Sequence, residues 1–169
     1  MEKEIHRQAF ETLDAWVGEP FDGLPEEFFL FLSRFTPLIN VDLLIQDDRR
    51  CTLLTWRQDD TYGAGWHVPG GIIRYKETAE DRIHATARRE LGADVTFDPQ
   101  PIAIEQLMEP DCRARGHFIS LVYRCRLLGP PEPGLRYEQG KPPSRDQWAW
   151  HEGCPPDLIA VQSYYRRLF

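Results

Sequence analysis

The stretch from Gly65 to Gly92 constrains this chain most. It runs from an extended segment through a Pro69-Gly70-Gly71 turn into residues 78 to 91, which contain neither Pro nor Gly. Thr78 stands where an N-cap belongs, Glu80 and Asp81 follow it, and Gly92 suits a left-handed C-cap. Strand, tight turn and helix are thereby ordered within one short segment, which places the chain in the α/β class.

The flanks fill in around that unit. Ile5, Ala9, Leu13, Trp16 and Val17 recur at helical spacing, which predicts an amphipathic helix over residues 4 to 17, ended by Gly18 and Pro20. A second short helix is expected from Pro25, with Glu26 and Glu27 in its first turn and Phe28, Phe29, Leu32 and Phe35 on its apolar face. These helices suit either the domain's own core or a dimer partner. Residues 38 to 46 and 51 to 56 read as a hairpin joined by Asp47-Asp48-Arg49-Arg50, and residues 66 to 75 as extended. Further strands are expected at 93 to 97, 101 to 108 and 117 to 128. Residues 129 to 145, with Pro130, Pro131, Pro133, Pro142 and Pro143, read as a loop. A short strand with Trp148 and Trp150 on one face and a helix from about 156 to 168 complete the chain. No linker divides it, so the expected organisation is a helical extension, 1–35, packed on one domain, 36–169.

Charge and cysteines limit what such a domain binds. The 27 Asp and Glu outnumber the 20 Lys and Arg, for a formal net charge of -7. Such a surface has no surplus cation to release counterions from nucleic acid, yet it leaves a single phosphate pocket open. Cys51, Cys112, Cys125 and Cys154 lie 61, 13 and 29 residues apart, which matches no zinc spacing. Met1-Glu-Lys-Glu lacks the start of a signal peptide, and the longest apolar run, Phe28 to Leu32, is too short to span a bilayer. The expectation is a cytoplasmic protein with neither nucleic-acid nor membrane partners.

Gly71, Glu77, Glu90 and Gly92 fall in register with the pattern G-x5-E-x7-R-E-U-x-E-E-x-G-U, where U is aliphatic, and Trp66, Val68, Pro69 and Gly70 match its usual lead-in. The segment thus resembles the Nudix box of the Nudix hydrolase superfamily. That resemblance implies a Nudix fold, an α/β/α sandwich around a mixed sheet, here with an added helical N-terminus. Ala85, Thr86 and Arg89 stand where the box has Arg, Glu and Glu. Positions 86, 89 and 90 share one helix face, where a full box gathers three carboxylates. Their formal charge here sums to zero, which disfavours a cluster of several ions. A single Mg²⁺ remains the expected cofactor, with Mn²⁺ as its substitute, because Mg²⁺ commonly takes one or two carboxylates with phosphate oxygens and water. Glu90 is the candidate ligand, and the resemblance adds the Gly70 carbonyl.

Within the superfamily, Thr36-Pro37-Leu38-Ile39-Asn40-Val41-Asp42 and Leu53-Leu54-Thr55-Trp56-Arg57 are similar to segments of the GDP-mannose mannosyl hydrolases, as is His117-Phe118-Ile119. The resemblance makes Asp42 a cleft residue near the sugar, Arg57 a cation that stabilises the departing diphosphate, and His117 the candidate base. Ile72 follows the turn where that branch has an Arg, for which Arg74 is the candidate replacement. Ser144 and Arg145 occupy the places of its metal-binding Gln and basic His. The expected activity is Mg²⁺-dependent hydrolysis of a nucleoside diphosphate sugar such as GDP-mannose, by a homodimer if the resemblance extends to assembly. Arg57, Glu90 and His117 are the candidate catalytic residues. Asp42, Arg57, Arg74 and Arg89 are the candidate substrate contacts. The Arg89 guanidinium in particular projects from the metal face and could itself meet a phosphate.

Blander readings stand beside these. Glu90 also reads as a solvated helix glutamate, Arg57 as a surface charge, and His67 and His84 as ordinary core or surface histidines. Glu77 reads as a residue that orients loop and helix. Trp56, Tyr62 and Trp66 could stack on a base, with core packing favoured for Trp66. The rival activities are attack at phosphorus in a nucleotide sugar or other diphosphate, and noncatalytic binding of a nucleotide sugar by a degenerate box.

Overall fold

A computed structural model describes residues 2–20 and 23–169; Met1, Phe21 and Asp22, all within the expected 1–35 extension, lie outside the described residues. Helices α1 (Glu2–Val17) and α2 (Glu26–Leu32) come first. Strands β1 (Leu38–Ile45), β2 (Thr52–Asp59), β3 (Gly63–His67) and β4 (Gly70–Ile72) lead into helix α3 (Ala79–Leu91). Strands β5 (Val95–Phe97), β6 (Ala103–Met108), β7 (His117–Leu127) and β8 (Trp148–His151) follow, and a 3-10 helix, Ala160–Leu168, closes the chain. The proline-rich stretch expected to be loop contains one 3-10 turn, Pro133–Leu135.

Two expectations change. Asp47 closes a turn after β1, accepting from the backbone N–H groups of Arg49 and Cys51 through Oδ1, and Arg50 is left-handed at φ 64°. Yet β1 and β2 meet only at the Gln46–Thr52 bridge and then part into different sheets. Within β1 only Ile39 is exposed, the pattern of a strand covered on both faces. It is central to a mixed five-stranded sheet, parallel to β7 and antiparallel to β4, while β5 and β6 share the far edge of β7. Strand β2 lies between β3 and β8 in an antiparallel three-stranded sheet. The helix expected over about 156 to 168 is shorter and of the tight 3-10 form. Ile159, Gln162 and Tyr165 are buried at three-residue spacing, and a 3-10 helix stacks such a series on one face.

Packing follows from these layers. Helix α3 sets Ile83, Ala87 and Leu91 against Val41, Leu43 and Tyr123 on one face of the mixed sheet. The other face packs Leu44 and Val122 with Trp56, Trp66, Leu158 and Tyr165. The mixed sheet is thus covered by α3 on one side and by the chain's end on the other. Thr78 and Asp81 form a capping box at the start of α3, and Gly92 caps its end at φ 61°. The two turn glycines let the layers close. A Cβ on Gly71 would lie 2.3 Å from Thr86 Oγ1, and one on Gly70 would lie 2.3 Å from Asp42 Oδ1. No described helix is long and apolar enough to cross a membrane.

Candidate active site

The Gly-Gly turn, the exposed side of α3, the ends of β1 and β2, and the loop before β7 surround a cavity of about 540 Å³, with Leu24, Phe29 and Leu32 of the N-terminal segment in its wall. Five arginines line it: Arg57, Arg74 and Arg115 from separate segments, and Arg82 and Arg89 from α3. Asp42 is the one carboxylate among the described residues that line it. This charge distribution suits an anionic ligand.

Each arginine is held differently. Arg57, at the end of β2, lies 3.4 Å from Asp59 Oδ2 and stacks its guanidinium 5.6 Å from the Tyr62 ring centroid. Arg74 follows β4, and its backbone N–H is fixed by Glu77 Oε2 at 2.8 Å. Arg89, one residue before Glu90 on α3, donates through Nη2 to the Gly70 carbonyl at 3.2 Å and to Glu90 Oε1 at 2.8 Å. Arg115, which no sequence motif marks, stands at φ 55° with its guanidinium between the Tyr62 and Phe29 rings, 5.5 and 5.9 Å from their centroids. Its backbone is anchored from both sides: the N–H donates to Ser33 Oγ at 3.0 Å and the carbonyl accepts from the Tyr62 hydroxyl. Its buried Nε has no partner among the described residues. A basic loop before a strand gives no hint of this, because the contacts come from Ser33 and Tyr62, far away in sequence. Tyr62 itself is pushed up to about 12 by burial, against the pull of Arg115 and Arg57.

Asp42 proves to be a buried residue at the cavity wall, 1% exposed, whose Oδ2 accepts from Asn40, Ser120 and Tyr165. Burial raises its carboxyl above the usual range, although all three donors oppose the shift. Its contacts are therefore with the fold rather than with open solvent. The phenol of Tyr165 is raised in turn, by burial and by the Asp42 charge.

His67, read from sequence as an ordinary histidine, also lines the cavity. It is 5% exposed, its Nε2 lies 3.4 Å from Glu90 Oε2, and Thr55 Oγ1 sits 3.3 Å from both groups. Burial alone would raise the Glu90 carboxyl, yet His67 and Arg89 beside it hold it down at about 2. Glu90 is thus a carboxylate gripped from two sides and not a solvated one. His117 needs correction as a candidate base: it is not among the cavity residues, and its Nε2 lies 3.0 Å from Gln106 Nε2 at the opposite face of the strand from Phe118, which does line the cavity. Strand alternation is the reason. Ser144 and Arg145 are not in the cavity wall either.

Glu77 has the orienting role its position suggested. Arg82 donates to both its oxygens, at 2.8 and 2.7 Å, and both side chains are about nine-tenths buried. Trp56 and Trp66 pack edge to face in the core at 5.2 Å, which leaves Tyr62 as the cavity aromatic of the three.

The residues present do not fit a divalent ion. The Gly70 carbonyl and Glu90, the groups expected to bind it, are both engaged by Arg89, Glu90 through Oε1. Thr86 brings a hydroxyl without any partner, set against Gly71, and among the described residues no group of three or more His, Cys, Asp or Glu could hold a metal.

Comparison with known proteins agrees with this architecture. The model of the NUDIX domain matches residues 36–155. The low-salt glycan biosynthesis protein Agl8 of Haloferax volcanii is 32% identical over 82 residues, 48% of this chain and 52% of that protein. The aligned region thus spans about half the length of that curated relative. A possible asymmetric diadenosine tetraphosphate hydrolase from Jonesia denitrificans superposes with a TM-score of 0.60 at 19% identity, covering 79% of this chain and 94% of its own. A MutT Nudix hydrolase from Burkholderia pseudomallei gives 0.60 at 18% identity, covering 78% and 97%. A UDP-X diphosphatase gives 0.57 at 15% identity, covering 98% and 88%. At these identities the structures share the fold.

Proposed function

Since the chain belongs to the Nudix family of hydrolases, which act on nucleoside diphosphate derivatives, we propose that its substrate is a nucleoside diphosphate sugar of the GDP-mannose type. The observation that carries this reading is the convergence of Arg57, Arg74, Arg89 and Arg115, beside the Glu77-paired Arg82, on one cavity in which the buried Asp42 is the one carboxylate among the described lining residues. A diphosphate brings negative charge along its length, and planar guanidinium groups pair with phosphate oxygens in two-pronged fashion. The Tyr62 ring, backed by Arg57 and Arg115, offers an aromatic surface in the same cavity. The glycan-biosynthesis name of the Haloferax relative points the same way.

In hydrolysis at the sugar carbon, water attacks C1, the C–O bond to the diphosphate breaks, and the electron pair leaves with the phosphate oxygen. His67 is positioned to take the proton of that water, with Glu90 beside it to hold the imidazole and stabilise its charged form. Glu90 is therefore a positioning residue. The arginines offset the charge that develops on the departing diphosphate. Nudix hydrolases generally use divalent metal ions, but in this chain the expected ligands are spent on Arg89.

Within the proposed 1–35 extension, the described segment from Leu24 to Leu32 shapes the cleft, since Leu24, Phe29 and Leu32 stand in its wall. A homodimer accords with the exposed Ile39, Ile104 and Met108 on the mixed sheet. Four free cysteines accord with a cytoplasmic setting. The test is a screen of nucleoside diphosphate sugars, run in ¹⁸O water beside a His67→Gln variant. Label in the free sugar with loss of turnover in the variant is the expected result. Label in phosphate would assign attack at phosphorus, and turnover unchanged by His67→Gln would remove the assigned base.

A further inference from the structure

The cation at the box is part of the chain itself. Arg89 Nη2 bridges the Gly70 carbonyl and Glu90 Oε1, and so engages both groups expected from the sequence to ligate an ion. A guanidinium has five N–H donors. The two contacts consume those of one nitrogen, which leaves three on a side chain that is 60% exposed and lines the cavity. Glu90, at 11% exposure, is fixed from its other side by Thr55 and His67, so the anchor for the guanidinium is rigid. A divalent ion at these oxygens would have to expel Arg89 and then remain beside its positive charge, with Thr86 contributing no carboxylate.

We propose that Arg89 is the resident cation of this site, standing in place of the divalent ion and binding a phosphate of the ligand directly, so that ligand binding requires no metal. The phosphate half of this inference rests on the proposed nucleoside diphosphate substrate; the exclusion of the ion does not.

Two measurements on the full chain separate the halves. In the first, Mn²⁺ is followed by its electron paramagnetic resonance signal without nucleotide. The wild type is expected to leave the ion free, whereas Arg89→Glu, which rebuilds a carboxylate pair with Glu90 on the same face, is expected to bind it. Mn²⁺ captured by the wild type, or ignored by Arg89→Glu, overturns the proposal. In the second, GDP binding is measured by calorimetry in EDTA and in Mg²⁺. The wild-type Kd is expected to agree within about twofold between the two, and Arg89→Gln to weaken binding in EDTA by about tenfold or more. Arg88→Gln, whose guanidinium pairs with Asp94 in solvent, should change neither measurement. GDP binding that needs Mg²⁺, or that survives Arg89→Gln intact in EDTA, overturns the proposal. Should GDP bind under neither condition, the nucleoside diphosphate reading fails on its own, and the Mn²⁺ spectra decide whether arginine has replaced the ion.

Discussion

Two glutamate–arginine pairs frame the turn and helix of the box, and their difference separates architecture from chemistry. Glu77 and Arg82 are sealed, at 10% and 7% side-chain exposure, with two parallel hydrogen bonds and a third from the Arg74 backbone. Glu90 is similarly sheltered at 11%, and both arginines line the cavity, but its partner Arg89 is 60% exposed there. The first pair spends all its visible bonding on holding the loop against the helix. The second leaves donor capacity facing a ligand. Like chemistry thus serves two ends, and exposure decides which.

Removing the sealed charge should have the largest effect. Glu77→Gln leaves the Arg82 guanidinium buried with a neutral partner, and breaking a buried pair on one side costs about 3–5 kcal/mol. Urea unfolding should show that loss. A loss below about 1 kcal/mol would mean that the pair is wetter than its exposure indicates.

The second pair should show a smaller, pH-dependent stability effect joined to a loss of turnover. The Glu90 carboxyl is lowered from 4.5 in the unfolded chain to about 2, so the folded state favours its charged form. That stability is fully present above 4.5 and is lost as pH falls through 2, and at about 1.4 kcal/mol per unit it amounts to roughly 3 to 4 kcal/mol at most. Wild type and Glu90→Gln should therefore differ most near neutrality and converge under acid. Because Glu90 positions His67, the variant should also lose about ten- to a hundredfold in kcat with little change in KM. Parallel stability curves down to pH 2 would contradict the assignment of the shift, and a change confined to KM would contradict the positioning role.

Sequence disclosed one pair more fully than the other. The spacing of Glu77 in the box already marked it as an orienting residue, because loop and helix are local and their geometry is set within a few residues. The arrangement around Glu90 depends on Thr55 and His67, brought over by β2 and β3, and no local pattern encodes that approach. The same limit concealed Arg115, whose anchors are Ser33 and Tyr62, and misplaced His117, since alternation fixes that neighbouring strand residues face apart without saying which faces the cleft. Helix α3, with its Thr78 and Gly92 caps, was readable because caps act within a single turn. The parting of β1 and β2 into two sheets was not, because a turn sequence specifies the reversal and leaves the later strand partners open.

A third pair on α3 gives the weakest and most diagnostic contrast. Arg88 and Asp94 make a close contact at 2.7 Å, as short as that of Arg82 with Glu77, but at 67% and 55% exposure. If distance governed these pairs, Arg88→Gln would cost as much as breaking the sealed one. If exposure governs, water and salt already screen the contact, and the change should lie within about 0.5 kcal/mol. Urea unfolding at low and high salt distinguishes these cases. A large, salt-sensitive loss would show that proximity outweighs burial on this helix, and the division drawn between Glu77 and Glu90 would then need another cause.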